Sequence, residues 1–388
     1  MRYRLLLPAL ALLLASCGGG DSVFGPGPTP AATPTSDGSS SATTAGPAST
    51  TEAPTTTNAA TTSTTAAIAS WAWSRPAADG SVFGGPEDQY AGAVAAGGPG
   101  LVAVGSDFAG GDFDAAVWTS ADGMTWSRVP HDEAMLGGPG DQGMDGVVAG
   151  VAGLVAFGLE DAAGDDDVAV WTSPDGMTWS RVPHDEALFG GPDDQEARAL
   201  AAVDPGFVMV GVDYSTGDGD TAVWTSPDGF AWSRVPTGEA LGGPGDQLAN
   251  AVTLSPAGLV AVGSEWITEE ADGVVWTSAD GSSWSRVPDA AGVFGGPGSQ
   301  NLRAVVAAGG KLIAVGGDSA GGDVDFAVWT SDDGRTWSRV PHDEAVFGGP
   351  GDQRVLRMSV GGPGLIAAGV NDTGADRDGL VWVATPSG

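Results

Sequence analysis

The chain has 388 residues, with 15 Lys and Arg against 49 Asp and Glu, a formal net charge of −34. A surface this acidic repels nucleic acid and anionic membranes and leaves cations, basic proteins and neutral sugars as partners. The single cysteine excludes an intramolecular disulfide, so stability rests on packing.

Met1 to Arg4 is a short basic head, Leu5 to Leu14 is apolar, and Leu14-Ala15-Ser16-Cys17 follows. The apolar run is shorter than the roughly 20 residues a spanning helix needs, so it reads as a secretory signal. Leu14-Ala15-Ser16-Cys17 resembles the lipobox of bacterial lipoproteins. The resemblance implies that Cys17 takes a diacylglycerol, becomes the mature N-terminus and anchors the chain to the outer face of the cell membrane. Two acyl chains suffice for a stable anchor where one does not. Residues 1–17 are therefore expected to be signal and lipobox.

Residues 18–70 are Gly, Pro, Ser, Thr and Ala, with almost no large apolar residue after Phe24. Such a segment cannot bury enough surface to offset its ordering entropy. It is expected to be a disordered tether, and its Ser/Thr/Pro tracts suit O-linked sugar.

Residues 71–388 are repeats. Trp-Thr-Ser-x-Asp-Gly begins at Trp118, Trp171, Trp224, Trp276 and Trp329, with a degenerate copy at Trp382. Trp-Ser-Arg begins at Trp73, Trp126, Trp179, Trp232, Trp284 and Trp337, and Gly-Gly-Pro recurs six times in step. One repeat reads as four short strands rich in Val, Trp and Thr, separated by Gly, Asp and Pro turns, with no helix-length pattern. Four strands per repeat of this length predict an all-β, six-bladed propeller with four-stranded blades. The last repeat stops where its fourth strand should start, and an unmatched Trp73-Ser74-Arg75 stands at the other end. The expectation is a ring closed by that N-terminal strand completing the C-terminal blade, which avoids two open sheet edges.

Ser120-Ala121-Asp122-Gly123-Met124-Thr125-Trp126 resembles the Asp-box, or BNR repeat, of sialidase-like propellers, shortened by one residue because Asp and Gly are adjacent. Asp-Gly is in itself a strong turn signal. The resemblance implies that Asp122, Asp175, Asp228, Asp280 and Asp333 are structural and lie away from any catalytic face.

Acidic residues recur before each third-strand Trp. Four and six residues ahead stand Asp114 and Asp112, Asp167 and Asp165, Asp220 and Asp218, and Asp325 and Asp323. Alternating carboxylates at a loop suit Ca²⁺, which takes six to eight oxygens, and calcium is the cofactor these positions suggest. The plainer alternative is a solvated acidic face. His131, His184 and His342 lie in a copied Val-Pro-His-Asp-Glu-Ala string and read as loop residues. Phe108, Tyr214 and Trp266 share one repeat position, where they are sugar-stacking candidates or loop anchors.

The sialidase resemblance implies three arginines clamping a carboxylate, a Tyr–Glu nucleophile pair and an Asp acid/base. The arginines of Trp-Ser-Arg recur in every blade and read as structural. Arg198, Arg303 and Arg354 do not recur, and they sit one or three residues after a repeated Gln, so they form a candidate anion clamp. Tyr90 and Tyr214 stand in no recognisable catalytic context. The near-identity of the blades favours a non-catalytic module that binds protein or carbohydrate, because catalytic groups need distinct roles, and a monomer is expected. The alternative is a sialidase-like glycoside hydrolase.

Overall fold

The computed structural model describes residues 82–385 apart from 85–86, 110, 162–163, 290–291, 362–363 and 375. Cys17, the tether and the strand expected at Trp73–Arg75 lie outside the described residues. The rest is an all-β, six-bladed propeller of antiparallel sheets. Each blade is a meander in which consecutive strands pair in sequence order. Blades 1 to 5 show four strands, and blade 6 shows three, the last being Arg377–Ala384. The fourth strands are only two or three residues long.

The third strand shows why the repeat folds this way. In blade 2 it is Asp167–Ser173, buried on both faces. Successive side chains of a strand point to opposite faces. Ala169 and Trp171 accordingly pack against Val102, Val104 and Val117 of blade 1. Val168 and Val170 pack against Phe207, Met209 and Trp224 of blade 3. The core is thus a series of layers between neighbouring blades, and the Trp of each repeat fills one layer. Trp171 is fully buried. At about 25 cal/mol per Å² and roughly 200 Å², its burial contributes about 5 kcal/mol of gross transfer free energy.

The indole N–H of each such Trp needs an acceptor, and each finds a carbonyl 36 residues earlier, in the connection entering its own blade. Trp171 donates to Met135 at 2.7 Å, Trp224 to Leu188 at 2.7 Å and Trp329 to Val293 at 2.8 Å. Trp118 reaches Val82 in the same way. One residue type therefore fills the layer and fastens the connection.

The Ser-x-Asp-Gly turns form as their residues dictate. Asp175 Oδ1 accepts the amides of Met177 and Thr178 at 2.8 and 2.7 Å, and Ser173 Oγ accepts that of Gly176 at 2.8 Å. Gly176 has φ +74°, the left-handed region that glycine adopts without strain. Four of the Trp-Ser-Arg arginines, Arg128, Arg181, Arg234 and Arg339, stack over third-strand Trp rings, Arg181 lying 5.5 Å from the Trp171 centroid and Arg234 5.3 Å from that of Trp224. Each also meets an acid 21 residues earlier: Arg181 meets Glu160, Arg234 meets Asp213, and Arg339 meets Asp318. Those acids therefore serve the fold.

Two single-turn helices, Glu186–Phe189 and Glu344–Phe347, interrupt inter-blade connections. Asp185 and Asp343 cap them by accepting the amides of Ala187 and Ala345.

Candidate active site in the central channel

From blade 1 to blade 6, the first strand of each blade contacts the first strand of the next, so these strands line the axis. They are Gln89–Gly97, Asp141–Gly150, Gln195–Ala202, Asp246–Ser255, Gln300–Ala308 and Asp352–Gly361. Each has a β-bulge three residues after its repeated Gln. A glycine on the second strand makes room for it. A Cβ on Gly158 would fall 1.9 Å from the carbonyl oxygen of Gly143, and one on Gly211 1.9 Å from that of Glu196. The Gln holds the strand from below. Gln195, for example, is fully buried and donates to Ser215 Oγ at 2.8 Å.

The frame repeats, but the bulged residue does not. It is Gly92, Asp145, Arg198, Asn250, Arg303 and Leu356 in the six blades. Bulges re-aim side chains and favour functional sites. Here they supply the chemical asymmetry that duplicated blades otherwise lack.

These residues interact across blades. Arg198 Nη2 and Nε donate to Glu196 Oε2 at 2.8 and 3.2 Å, and Nη1 donates to Asn250 Oδ1 at 2.8 Å. Asn250 Nδ2 then donates to the Leu302 carbonyl at 2.9 Å, one blade further on. Burial, with the charges of Arg198, Arg354 and Arg357 nearby, holds the Arg303 guanidinium below its usual range. Arg198 is paired with Glu196 and Arg354 with Asp352. Among the described residues, no carboxylate lies in ion-pair distance of Arg303 or Arg357. A guanidinium does not lose its proton in practice, so Arg303, Arg354 and Arg357, all exposed to solvent, offer positive charge to an anion.

Asp145 is exposed to solvent yet has many protein atoms around it. That crowding, opposed by Arg357 and reinforced by Glu196 and Asp166, pushes its carboxyl up to about 6. Asp145 thus combines a raised carboxyl with one guanidinium, Arg357, in electrostatic range. Tyr214 is half-buried and within electrostatic range of Arg198 and Glu196, and burial pushes its hydroxyl up.

Of the sequence-derived clamp, Arg303 lies within electrostatic range of both Arg198 and Arg354. Arg357, Asp145, Glu196 and Asn250, which lie near these arginines or contact one of them, were not among the sequence-derived candidates. For Asp145 and Asn250 the available signal was the position three residues after each repeated Gln, which changes from blade to blade. The aromatic candidates Phe108, Tyr214 and Trp266 are each half-buried. Phe108 packs edge-on against Phe113 at 4.9 Å, which suits a loop anchor.

The paired aspartates lie at or just before the third strands. Asp218 and Asp220 share the Thr216 hydroxyl, and Asp218 also accepts the Gly245 amide at 3.2 Å. Asp112, Asp165 and Asp323 join no group of three close metal-ligating side chains among the described residues, whereas Asp114, Asp167 and Asp325 do. A surface cleft of about 470 Å³ is bordered by Glu186, Gly190, Asp213 and Arg234, and no channel residue lines it.

No protein-family model matches the chain, and no curated protein matches it. Among solved structures, it is similar to a Bacteroides uniformis protein provisionally designated a 6-phosphogluconolactonase, with 13% identity, 74% of this chain and 82% of that one covered, and a TM-score of 0.42. A Parabacteroides distasonis protein provisionally designated a glycoside hydrolase matches at 13% identity over 62% and 82%, with a TM-score of 0.31. A glycosyl hydrolase from Bacteroides ovatus matches at 13% over 63% and 80%, with a TM-score of 0.32. These likenesses concern the propeller fold, and no residue role is transferred from them.

Proposed function

We propose that the channel is the active site of a sialidase-like glycoside hydrolase acting on a carboxylate-bearing sugar, displayed outside the cell by a lipid on Cys17. The observation that supports this reading is that Arg357 stands within electrostatic range of both Arg303 and Asp145, whose carboxyl is raised to about 6. The guanidiniums fix the substrate carboxylate through charge-assisted, planar hydrogen bonds. Asp145 protonates the departing glycosidic oxygen. Glycoside hydrolysis generally needs one carboxyl held protonated and a second group of different role, and separated environments provide that separation. Glu196, which pairs with Arg198, is the second carboxylate: it takes the proton of the water that attacks the anomeric carbon as the bond to the departing oxygen breaks. A non-catalytic binding module would need the clamp but not the raised Asp145.

The test is calorimetric titration of the full chain with N-acetylneuraminic acid. Saturable binding is expected, weakened at least tenfold by Arg303→Ala, a loss of about 1.4 kcal/mol. An affinity indifferent to Arg303→Ala would contradict the reading.

A further inference from the structure

Away from the channel, three blades carry the same unplanned-looking grouping. Asp114 stands with His131 and Glu133, Asp167 with His184 and Glu186, and Asp325 with His342 and Glu344. In each, one ligand atom per residue lies within 4.8 Å of the others. His184 Nε2 is 3.3 Å from Glu186 Oε2 and 3.7 Å from Asp167 Oδ2. The other two groups repeat this at 3.2 and 3.8 Å and at 3.1 and 3.8 Å. Donors about 2.0–2.1 Å from a tetrahedral zinc ion lie roughly 3.3–3.4 Å apart, the middle of these separations.

Blade 2 adds three observations. Asp167 Oδ1 is fully buried and has no hydrogen-bond partner. It faces the same space as Glu186, because a Cβ on Gly190 would fall 3.0 Å from Asp167 Oδ1 and 3.0 Å from Glu186 Oε2. An unpaired buried carboxylate oxygen is costly unless something meets it. The histidine is also oriented, since its Nδ1 lies 3.0 Å from Glu160 Oε1. A carboxylate on one ring nitrogen fixes the tautomer and leaves Nε2 for a metal.

The remaining blades act as an internal comparison. Thr237 and Asp289 stand where the histidine would be in blades 3 and 4. There the equivalent aspartates, Asp220 and Asp272, take backbone amides of Gly243 and Gly296. Where the histidine is absent, the carboxylate has found a partner within the protein.

We propose that Asp167, His184 and Glu186 bind a divalent transition metal ion of the zinc class, and that the equivalent residues of blades 1 and 5 form two further, weaker sites. One imidazole with two carboxylates and an open position suits zinc better than the all-oxygen shells of calcium or magnesium. Glu186 and Gly190 border the surface cleft, which gives the ion its way in. Each ion would fasten an inter-blade connection to the start of a third strand.

The experiment is equilibrium dialysis of the full chain against zinc chloride after chelator treatment, with metal counted by mass spectrometry. The expected result is three histidine-dependent equivalents per chain, one lost with each of His131→Ala, His184→Ala and His342→Ala. Glu160→Gln should weaken the tightest equivalent roughly 10–100-fold. Calcium in excess should not displace the zinc. The histidines are about a third exposed, so these variants should fold, and their circular dichroism confirms it. The proposal is overturned if wild type and the triple histidine variant bind equal zinc, or if calcium displaces it at equal concentration.

Discussion

Arg198 Nη1 donates to Asn250 Oδ1 at 2.8 Å, so the bulged residue of blade 3 is held by the bulged residue of blade 4. Asn250 is in turn fixed by the Leu302 carbonyl of blade 5. Three blades thereby set the position of one guanidinium. Asn250→Ala should remove one charge-assisted bond, worth roughly 1.5–3 kcal/mol, from the orientation of Arg198. The expected result is about tenfold weaker binding of an acidic monosaccharide with a melting temperature close to wild type. Unchanged affinity would show that Arg198 does not belong to the clamp.

A second prediction concerns the open edge of blade 6. Its third strand, Arg377–Ala384, leaves Val381 and Val383 58% and 55% exposed, and no fourth strand pairs with it among the described residues. The sequence places Trp73-Ser74-Arg75 in register for that place. Deleting residues 71–76 should lower the melting temperature, by roughly 2–4 °C for each kcal/mol of pairing lost. A melt indistinguishable from wild type would count against this closure.

A third prediction concerns acid. The Ser-x-Asp-Gly aspartates are held below the usual carboxylate range by backbone amides, Asp333 to about 2 by those of Thr336 and Arg335. Asp122, Asp175 and Asp280 are lowered by the same bonds. A carboxyl depressed in the folded state contributes stability that is present above its unfolded value of about 3.9 and is lost as pH falls through the folded value. Carbon-detected titration should therefore show Asp333 ionised well below pH 3, and Asp333→Asn should flatten the stability loss between about pH 4 and pH 2. An Asp333 titrating near 4 would contradict the role of these amides.

The sequence showed the architecture because the repeat is strong and local: Trp118 and its copies, the Asp-Gly turns and the Gly-Gly-Pro connections recur in step. The inner strands were less legible. Val147 to Ala149 reads as a strand, yet the strand begins at Asp141; its first half alternates in burial, but the buried Gln142 hides this in the sequence, and the bulge at Asp145 then shifts the two-residue period. Arg198 and Arg303 were visible as departures from repetition. Asp145 and Asn250 were not, since an acid or an amide draws no notice in so acidic a chain. The grouping of His184 with Asp167 was hidden for another reason. The residues are 17 apart, and only the path of the inter-blade connection brings them together.

The rate–pH profile for hydrolysis of a fluorogenic sialoside, measured on wild type and Asp145→Asn, tests the central claim most directly. An acid required in its protonated form gives a rate that is full below its pKa and falls above it. The wild type should hold its rate in mildly acidic solution and lose it as pH rises through about 6, the value to which Asp145 is raised. Asp145→Asn should lose at least a hundredfold in kcat, the lower end of what general acid catalysis contributes, while still binding the sugar. No hydrolysis by wild type across acidic sugars, or a variant with an unchanged rate and pH limb, would contradict the account.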